Sequence, residues 1–315
     1  IGCGRMGLAH TRRLATDVRS QLTGFYDSDT GAAMRLRDRF APHAAVFDNF
    51  SEALADDIDA VVIATPTIFH YDQITAALTS GRHVLAEKPL AGTRSEIVQL
   101  IELCNAHPHL HCVLGYQRRF WRNYQYLKEE LASGRWGALR AVTFVNCERW
   151  EAGIAGTWRD DANLNFGGFL GDAGSHKLDA LMYVTGLQPE RLFAVTHQSR
   201  SQVEIIALVT GTLKGNIPLT LSFVGNAHSY HEELRMHSEN ADLILRDDQI
   251  FIAQKNNVQA IDLPAEDSGP LSLTNPVSVL LDLLNGTTTN PAPPACALAV
   301  FDVTTSILRC ATGRL

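Results

Sequence analysis

Apolar and polar residues alternate in blocks along the first third of the chain, and each block has the period of one element. Met6, Leu8, Ala9, Leu14, Ala15 and Val18 recur among arginines and threonines over residues 6–19, the spacing of a half-buried helix. LTGFYD (22–27) predicts a strand, SDTGAAMRLRDRF (28–40) a helix, AAVF (44–47) a short strand, and SEALADD (51–57) a helix opened by Ser51 as N-cap. DAVVIAT (59–65) is a buried strand, residues 68–80 are helical and HVLAE (83–87) is a strand. TRSEIVQLIELCNA (93–106) is a helix with Ser or Thr near its start, and HCVLGY (111–116) is another strand. Short Val-, Ile- and Leu-rich runs alternating with helices imply a parallel sheet covered on both faces.

From residue 117 the pattern changes. LRAVTFVNCERW, RLFAVTHQS, EIIALVTGTLKG and IPLTLSFVG follow one another with strand periodicity and few helices between them, which reads as an antiparallel sheet. Leu219, Leu221 and Phe223 share one face against Thr220, Ser222 and Val224. Few predicted helices are available to cover that apolar face, so it implies a homo-oligomer, a dimer or tetramer. Two helices stand out, one after Gly168 and one near 294–311 with Leu298, Phe301 and Leu308 at helical spacing; NPAPP (290–294) is a rigid connector. The fold class is α/β, with a dinucleotide-binding domain over 1–116 and an α/β substrate and oligomerisation domain over 117–315. The last helix is placed to pack back on the first domain.

The opening run IGCGRMG puts Gly2, Gly4 and Gly7 in a G-x-G-x-x-G spacing. Such glycines permit a tight turn, close approach of a pyrophosphate and close helix packing when they link a strand to a helix. Asp27 ends the second predicted strand twenty residues beyond Gly7, where a carboxylate binds adenosine ribose hydroxyls and favours NAD over NADP. Only Ile1 precedes the glycines, so the first strand is expected to be missing from this sequence.

Composition narrows the function. The chain has 315 residues, 45% hydrophobic and 19% charged, with a net charge of −7. Those values suit a globular protein of about two domains and disfavour a nucleic-acid surface. No apolar run reaches the length of a membrane helix. The six cysteines, Cys3, Cys104, Cys112, Cys147, Cys296 and Cys310, form no C-x-x-C pair and read as reduced thiols of a cytoplasmic protein. HPHLH (107–111) alternates histidines without an acidic or cysteine partner nearby and reads as a solvated loop; no metal is expected. NAHSYHEE, with His228, Tyr230, His231 and Glu232, reads as an exposed turn.

Three motifs carry candidate chemistry. ATPTIFH (64–70) brings Ala64, Thr65, Pro66 and His70 to the carboxyl edge of the sheet, where open parallel sheets bind ligands. AEKPL sets Glu87, Lys88 and Pro89 after the fifth strand on the same edge, although a lysine at a strand end is also an ordinary solvated residue. GGFLGDAGSHKLD (167–179) places Asp172, His176 and Asp179 on a predicted helix, the first two at i, i+4 and so on one face. An acid near a helix start with a histidine one turn later is equally a local structural pairing. As chemistry, His176 suits a base for an alcohol proton, Lys88 a donor to the alcohol oxygen, and Asp172 an orienting partner or a hydroxyl ligand.

Together GCGRMG, ATPTIFH, EKP, GYQRRF (115–120), Trp158 with Arg159, and GGFLGDAGSHKLD resemble, in order, the Gfo/Idh/MocA family, which includes glucose-fructose oxidoreductase and inositol dehydrogenase. The resemblance implies an N-terminal Rossmann domain followed by an α+β domain with a large, mostly antiparallel open sheet used for oligomerisation. It implies NAD held by Gly2, Cys3, Gly4, Arg5, Met6, Gly7, Asp27, Ala64, Thr65, Pro66, His70, Glu87, Lys88 and Gln117. Lys88, Asp172 and His176 would surround the substrate alcohol, with Gln117, Arg118, Trp158 and Arg159 beside the substrate. Two features depart from the pattern: Trp121 and Arg122 follow Phe120 where relatives often have Asp-Pro, and PAPPAC stands before the last helix. The expected activity is hydride transfer between nicotinamide and a secondary alcohol of a cyclic polyol, sugar or sugar derivative. The alternatives are glycoside cleavage through transient oxidation and elimination, and a non-catalytic dinucleotide-binding regulator.

Overall fold

The computed structural model describes residues 1–55, 57–263 and 274–311. The chain forms two compact units, Ile1–Tyr116 with Thr274–Leu298, and Gln117–Leu273 with Ala299–Leu315, of which 117–263 and 299–311 are described. Thr274–Leu298 was expected in the second domain but belongs to the first unit. Its reason is apolar: Pro276, Val277, Leu280 and Leu283 are buried, and helix Pro276–Leu284 packs on the first helix and on two strands of that unit.

In the first unit, helices α1 (Arg5–Thr16), α2 (Thr30–Phe40), α3 (Phe50–Ala55), α4 (His70–Thr79) and α5 (Arg94–Ala106) alternate with strands β1 (Gly24–Phe25), β2 (Ala45–Val46), β3 (Ala60–Ile63), β4 (His83–Ala86) and β5 (Cys112–Leu114). All strand pairs are parallel, in the pieces β1-β2 and β3-β4-β5. The backbone of the first two residues stands between them. Ile1 donates to the Val62 carbonyl at 2.9 Å and accepts from the Ala64 N–H at 2.9 Å, while the Gly2 N–H reaches the Tyr26 carbonyl at 2.8 Å. Helix starts follow capping chemistry. Thr93 and Glu96 form a capping box on α5. Asn49, not Ser51, caps α3: helix begins at Phe50, and the Asn49 side-chain oxygen accepts the Glu52 N–H at 2.9 Å.

The second unit carries α6 (Arg122–Ala132), β6 (Leu139–Cys147), α7 (Trp150–Ile154), α8 (Gly168–Gly171), α9 (Ala173–Thr185) and strands β7 (Pro189–His197), β8 (Ile206–Leu213), β9 (Ile217–Val224), β10 (His231–Ser238), β11 (Asp242–Arg246), β12 (Gln249–Gln254) and β13 (Asn257–Ile261). After α10 (Pro276–Leu284) in the first unit, α11 (Ala295–Ala311) starts in the first unit and runs on into the second. Among the described residues the sheet has eight strands in the order β13-β12-β11-β10-β6-β9-β8-β7, antiparallel except for the central β6–β9 pair. Register aligns Val209, Leu221, Phe144, Leu234, Leu245 and Ile250 in one row, and every member of it is buried.

Leu219, Leu221 and Phe223 lie on this buried face, so the expectation that they await a partner chain is corrected. Helices of the same unit cover them: a Cβ on Gly174 of α9 would sit 3.6 Å from the Phe223 ring. The opposite face is the open one. There Phe193, Val195 and Leu208 are 70%, 69% and 48% exposed, with Val195 paired to Leu208 across β7 and β8.

Candidate active site

The glycine loop shows why each glycine stands where it does. Gly2 has φ 80°, and a Cβ there would lie 2.7 Å from Ala64 backbone; on Gly7 a Cβ would fall 2.0 Å from the Gly2 carbonyl oxygen. Neither position admits a side chain. Around Gly4 a Cβ would meet nothing within 4 Å, so this glycine faces open space at the N-terminus of α1, where N–H groups and helix dipole attract an anion. Arg5 is exposed and Met6 half-buried beside it, while Cys3 is buried. Asp27 closes the loop: its carboxylate accepts the Cys3 N–H at 2.6 Å and the Asp29 N–H at 2.8 Å. The nearest guanidinium on α2, Arg35, is turned to Asp29 at 3.2 Å. Open space in front of Gly4 and an acid anchored at the β1 end fit a dinucleotide with free ribose hydroxyls.

At the same sheet edge, Ala64, Thr65 and Pro66 are half-buried after β3, and the Thr65 hydroxyl donates to Gln73 at 2.6 Å. His70 and Glu87 are interior. The His70 ring, 1% exposed, places Nδ1 at 2.8 Å from the Pro89 carbonyl oxygen and Nε2 at 2.9 Å from that of Thr65. Burial pushes its pKa below the usual imidazole value although both carbonyls favour the charged ring. Glu87 accepts from His10 at 2.7 Å. Burial alone would raise the Glu87 carboxyl, but the His10 hydrogen bond and the neighbouring Lys88 charge hold it below the ordinary range. Lys88, half-buried, lies between Glu87 and Pro89, and the Lys88–Pro89 peptide is cis.

In the second unit the GGFLGDAGSHKLD segment is two helices, not one. The chain breaks at Asp172 (φ −90°, ψ −85°), which ends α8 and precedes α9. The backbone is crowded where α8 begins. Gly167 and Gly168 take positive φ, and a Cβ on Gly168 would lie 2.2 Å from the Glu204 carbonyl oxygen. Asp172 therefore stands at the head of α9, 6% exposed, and accepts the Arg159 Nε–H at 2.8 Å. The Arg159 guanidinium lies 4.3 Å over the Trp158 ring, so Trp158, Arg159 and Asp172 form one group. His176 is half-buried in the first turns of α9.

The two arginines of QRRF anchor the turn that begins at half-buried Gln117. Arg119 binds both oxygens of Asp179, at 2.7 to 3.0 Å. Arg118, 5% exposed, binds Glu232 at 2.5 Å and the Tyr124 hydroxyl at 2.9 Å. Tyr124 also donates to Glu232 at 2.6 Å, and Lys177, buried on α9, reaches Glu148 with Glu232 at 4.0 Å. Burial pushes the Glu232 carboxyl up, but Arg118 and Lys177 outweigh it and hold the group below the ordinary range. NAHSYHEE is an exposed turn only in its first part, where His228 and Tyr230 are exposed; His231 opens β10 and Glu232 is 3% exposed. The signal was the i, i+2 alternation of Glu232, Leu234 and Met236, which puts the glutamate on the apolar face.

Comparison with known proteins follows this geometry. The profile described as "Oxidoreductase family, NAD-binding Rossmann fold" matches residues 1–116, and the GFO/IDH/MocA C-terminal domain matches residues 124–244. The chain is 35% identical over 138 residues to inositol 2-dehydrogenase of Acidothermus cellulolyticus, covering 44% of this chain and 40% of that protein. It is 33% identical over 191 residues to D-glucoside 3-dehydrogenase of Escherichia coli, covering 59% and 53%. The matches thus span about half the length of these relatives. The fold is that of the WlbA dehydrogenase from Bordetella pertussis, solved with NADH and UDP-GlcNAcA: TM-score 0.83, 20% identity, 100% of this chain and 95% of that one. Profiles that fall in order on both units, and together cover more than half of the sequence, place the chain in the Gfo/Idh/MocA family of oxidoreductases.

Proposed function

We propose that the protein is an NAD-dependent dehydrogenase acting on a secondary alcohol of a cyclic polyol, sugar or sugar derivative. The observation that carries this reading is the open side of Gly4 next to an Asp27 carboxylate locked to the Cys3 N–H. Relatives named for inositol and glucoside oxidation support the substrate class. Gly2, Gly4 and Gly7, with Cys3, Arg5 and Met6, would hold the pyrophosphate, and Asp27 the adenosine ribose. Ala64, Thr65 and Pro66 would line the cofactor path, as would Gln117. Bound NAD supplies the hydride acceptor. His176 takes the proton from the alcohol hydroxyl, Lys88 donates a hydrogen bond to the same oxygen as negative charge grows on it, and Asp172, steadied by Arg159, binds a neighbouring hydroxyl or orients His176. Arg118 acts from the interior, by holding the turn that carries Gln117.

The oligomer we propose is a homodimer or homotetramer formed through the open face around Phe193, Val195 and Leu208. All six cysteines are free thiols, which suits the cytoplasm; among the described residues no helix is long and apolar enough to cross a membrane. A panel of cyclic polyols, sugars and nucleotide sugars, followed by NADH absorbance, tests the function. NADH formation with one class, abolished in Lys88→Met and His176→Ala while NAD still binds, is the expected result. Full turnover in both variants would overturn the assignment.

A further inference from the structure

Two buried histidines grip the residues on either side of Lys88. His10 lies on α1, three residues beyond the last glycine of the loop, and is 2% exposed; its Nε2 sits 2.7 Å from a Glu87 oxygen. His70, at the start of α4, reaches the Pro89 carbonyl at 2.8 Å. The glutamate carboxylate is interior too, and Gly115 leaves room for it: a Cβ there would come within 3.1 Å of the Glu87 carboxylate. Lys88 is therefore flanked by a side chain fixed from one helix and a carbonyl fixed from another.

His10 is a costly way to fill an interior position. Its Nδ1 is buried and has no hydrogen-bond partner among the described residues, and a buried polar atom left unpaired carries a desolvation penalty that an apolar side chain avoids. A residue chosen for packing alone would be Leu or Phe, and departures from that local rule gather where function requires them. What the imidazole adds, and a hydrocarbon cannot, is the single bond to Glu87.

We propose that His10 is a positioning residue for Lys88: by holding Glu87 it fixes the backbone from which the lysine projects, and it takes that support from the helix that carries the glycine loop. The proposal rests on the dehydrogenase reading for the task of Lys88, but not for its placement. It makes the amine's position depend on α1, so that the helix heading the phosphate cradle also sets the donor to the alcohol oxygen.

The test compares wild type with His10→Gln, whose amide nitrogen reaches the place of Nε2, His10→Leu, and the double variant His10→Leu/Glu87→Leu. The double variant removes both polar partners, so no buried charge is left unpaired and it decides the matter if His10→Leu fails to fold. Three quantities are read: the acetylation rate of Lys88 by mass spectrometry, the Kd for NAD by calorimetry, and kcat on the substrate found in the panel. His10→Leu and the double variant should lower kcat about 10- to 100-fold, the scale of a small misplacement of a reacting group. In both, Lys88 acetylation should change by more than about threefold, and in His10→Leu the Kd for NAD should stay within about threefold; His10→Gln should stay near wild type in all three readouts. Unchanged Lys88 reactivity and kcat in the folded double variant would overturn the proposal, as would a loss of NAD affinity in step with kcat in His10→Leu. Lys88→Met, run alongside, separates the two ideas. If it keeps full turnover the catalytic role of Lys88 falls, whereas the acetylation rates still decide whether His10 places it.

Discussion

Single residues here take their chemistry from what surrounds them. Asp27 receives two backbone N–H groups, from Cys3 and Asp29, so its carboxylate is held at the end of β1 and would repel a ribose phosphate. Wild type should prefer NAD over NADP by at least about tenfold in kcat/KM, about 1.4 kcal/mol. Asp27→Ser should narrow that ratio and raise KM for both cofactors, because the Cys3 N–H loses its acceptor; steady-state kinetics with each cofactor checks it. Glu204 behaves in the opposite way. One of its oxygens accepts the Leu170 N–H at 2.8 Å, the other is buried without a partner among the described residues, and burial pushes its carboxyl up to about 8 from the ordinary 4.5. The native state then keeps a proton that the unfolded chain has lost, so this contribution to stability is fully present below the ordinary carboxyl value and is lost as pH rises through about 8. Glu204→Gln should flatten that slope and gain up to ~3 kcal/mol over wild type near pH 7. Urea melts at about pH 5 and about pH 9 measure it.

At the scale of elements, the loop that opens the first unit separates folding from binding. Gly7→Ala drives a methyl into the Gly2 carbonyl and should destabilise the unit itself, by about 1–3 kcal/mol or more. Gly4 has an extended backbone (φ −74°, ψ −157°) that alanine also adopts, with nothing near the added methyl. Gly4→Ala should therefore melt within about 1 kcal/mol of wild type, yet lose most NAD affinity as the methyl fills the space a pyrophosphate needs. A pair of melting curves with and without NAD distinguishes the two. These glycines were legible in the sequence because a tight turn constrains residue type and spacing together. So were the parallel alternation of the first unit and the strands β6 to β9, whose apolar periods are strong. The strands from His231 to Ile261 were not, since HEELRMHS and NVQAI carry charge and amide side chains on their outward positions and mimic loops. The break at Asp172 was also hidden: no proline marks it, and the Glu204 carbonyl that accepts the Phe169 N–H at 2.7 Å is distant in sequence. Likewise His10 looked like one more polar residue on α1, because its partner Glu87 is seventy-seven positions away.

For the whole molecule, the sheet of the second unit presents one sealed face and one open face, and register alone decides which residue goes where. Phe193 and Val195 project from β7 at the edge of the open face, so Phe193→Lys/Val195→Lys should turn an oligomer into monomers without lowering the melting temperature of the subunit. Light scattering at micromolar concentration reads the change, and a wild-type monomer would count against the assembly. The first unit carries another consequence, one of timing. Its β5 edge is completed from far along the chain: the Leu114 N–H reaches the Ala292 carbonyl at 2.9 Å and the Asn290 amide reaches the Cys112 carbonyl at 2.8 Å, while α10 packs on α1, β4 and β5. A ribosome that has made this unit only as far as residue 116 holds a domain with a bare strand edge and an uncovered apolar seat, and these stay open until residues 274–298 have emerged. Nascent chains stalled before residue 274 should be cut quickly by added protease within the first unit, and chains stalled after α11 has left the exit tunnel should resist it.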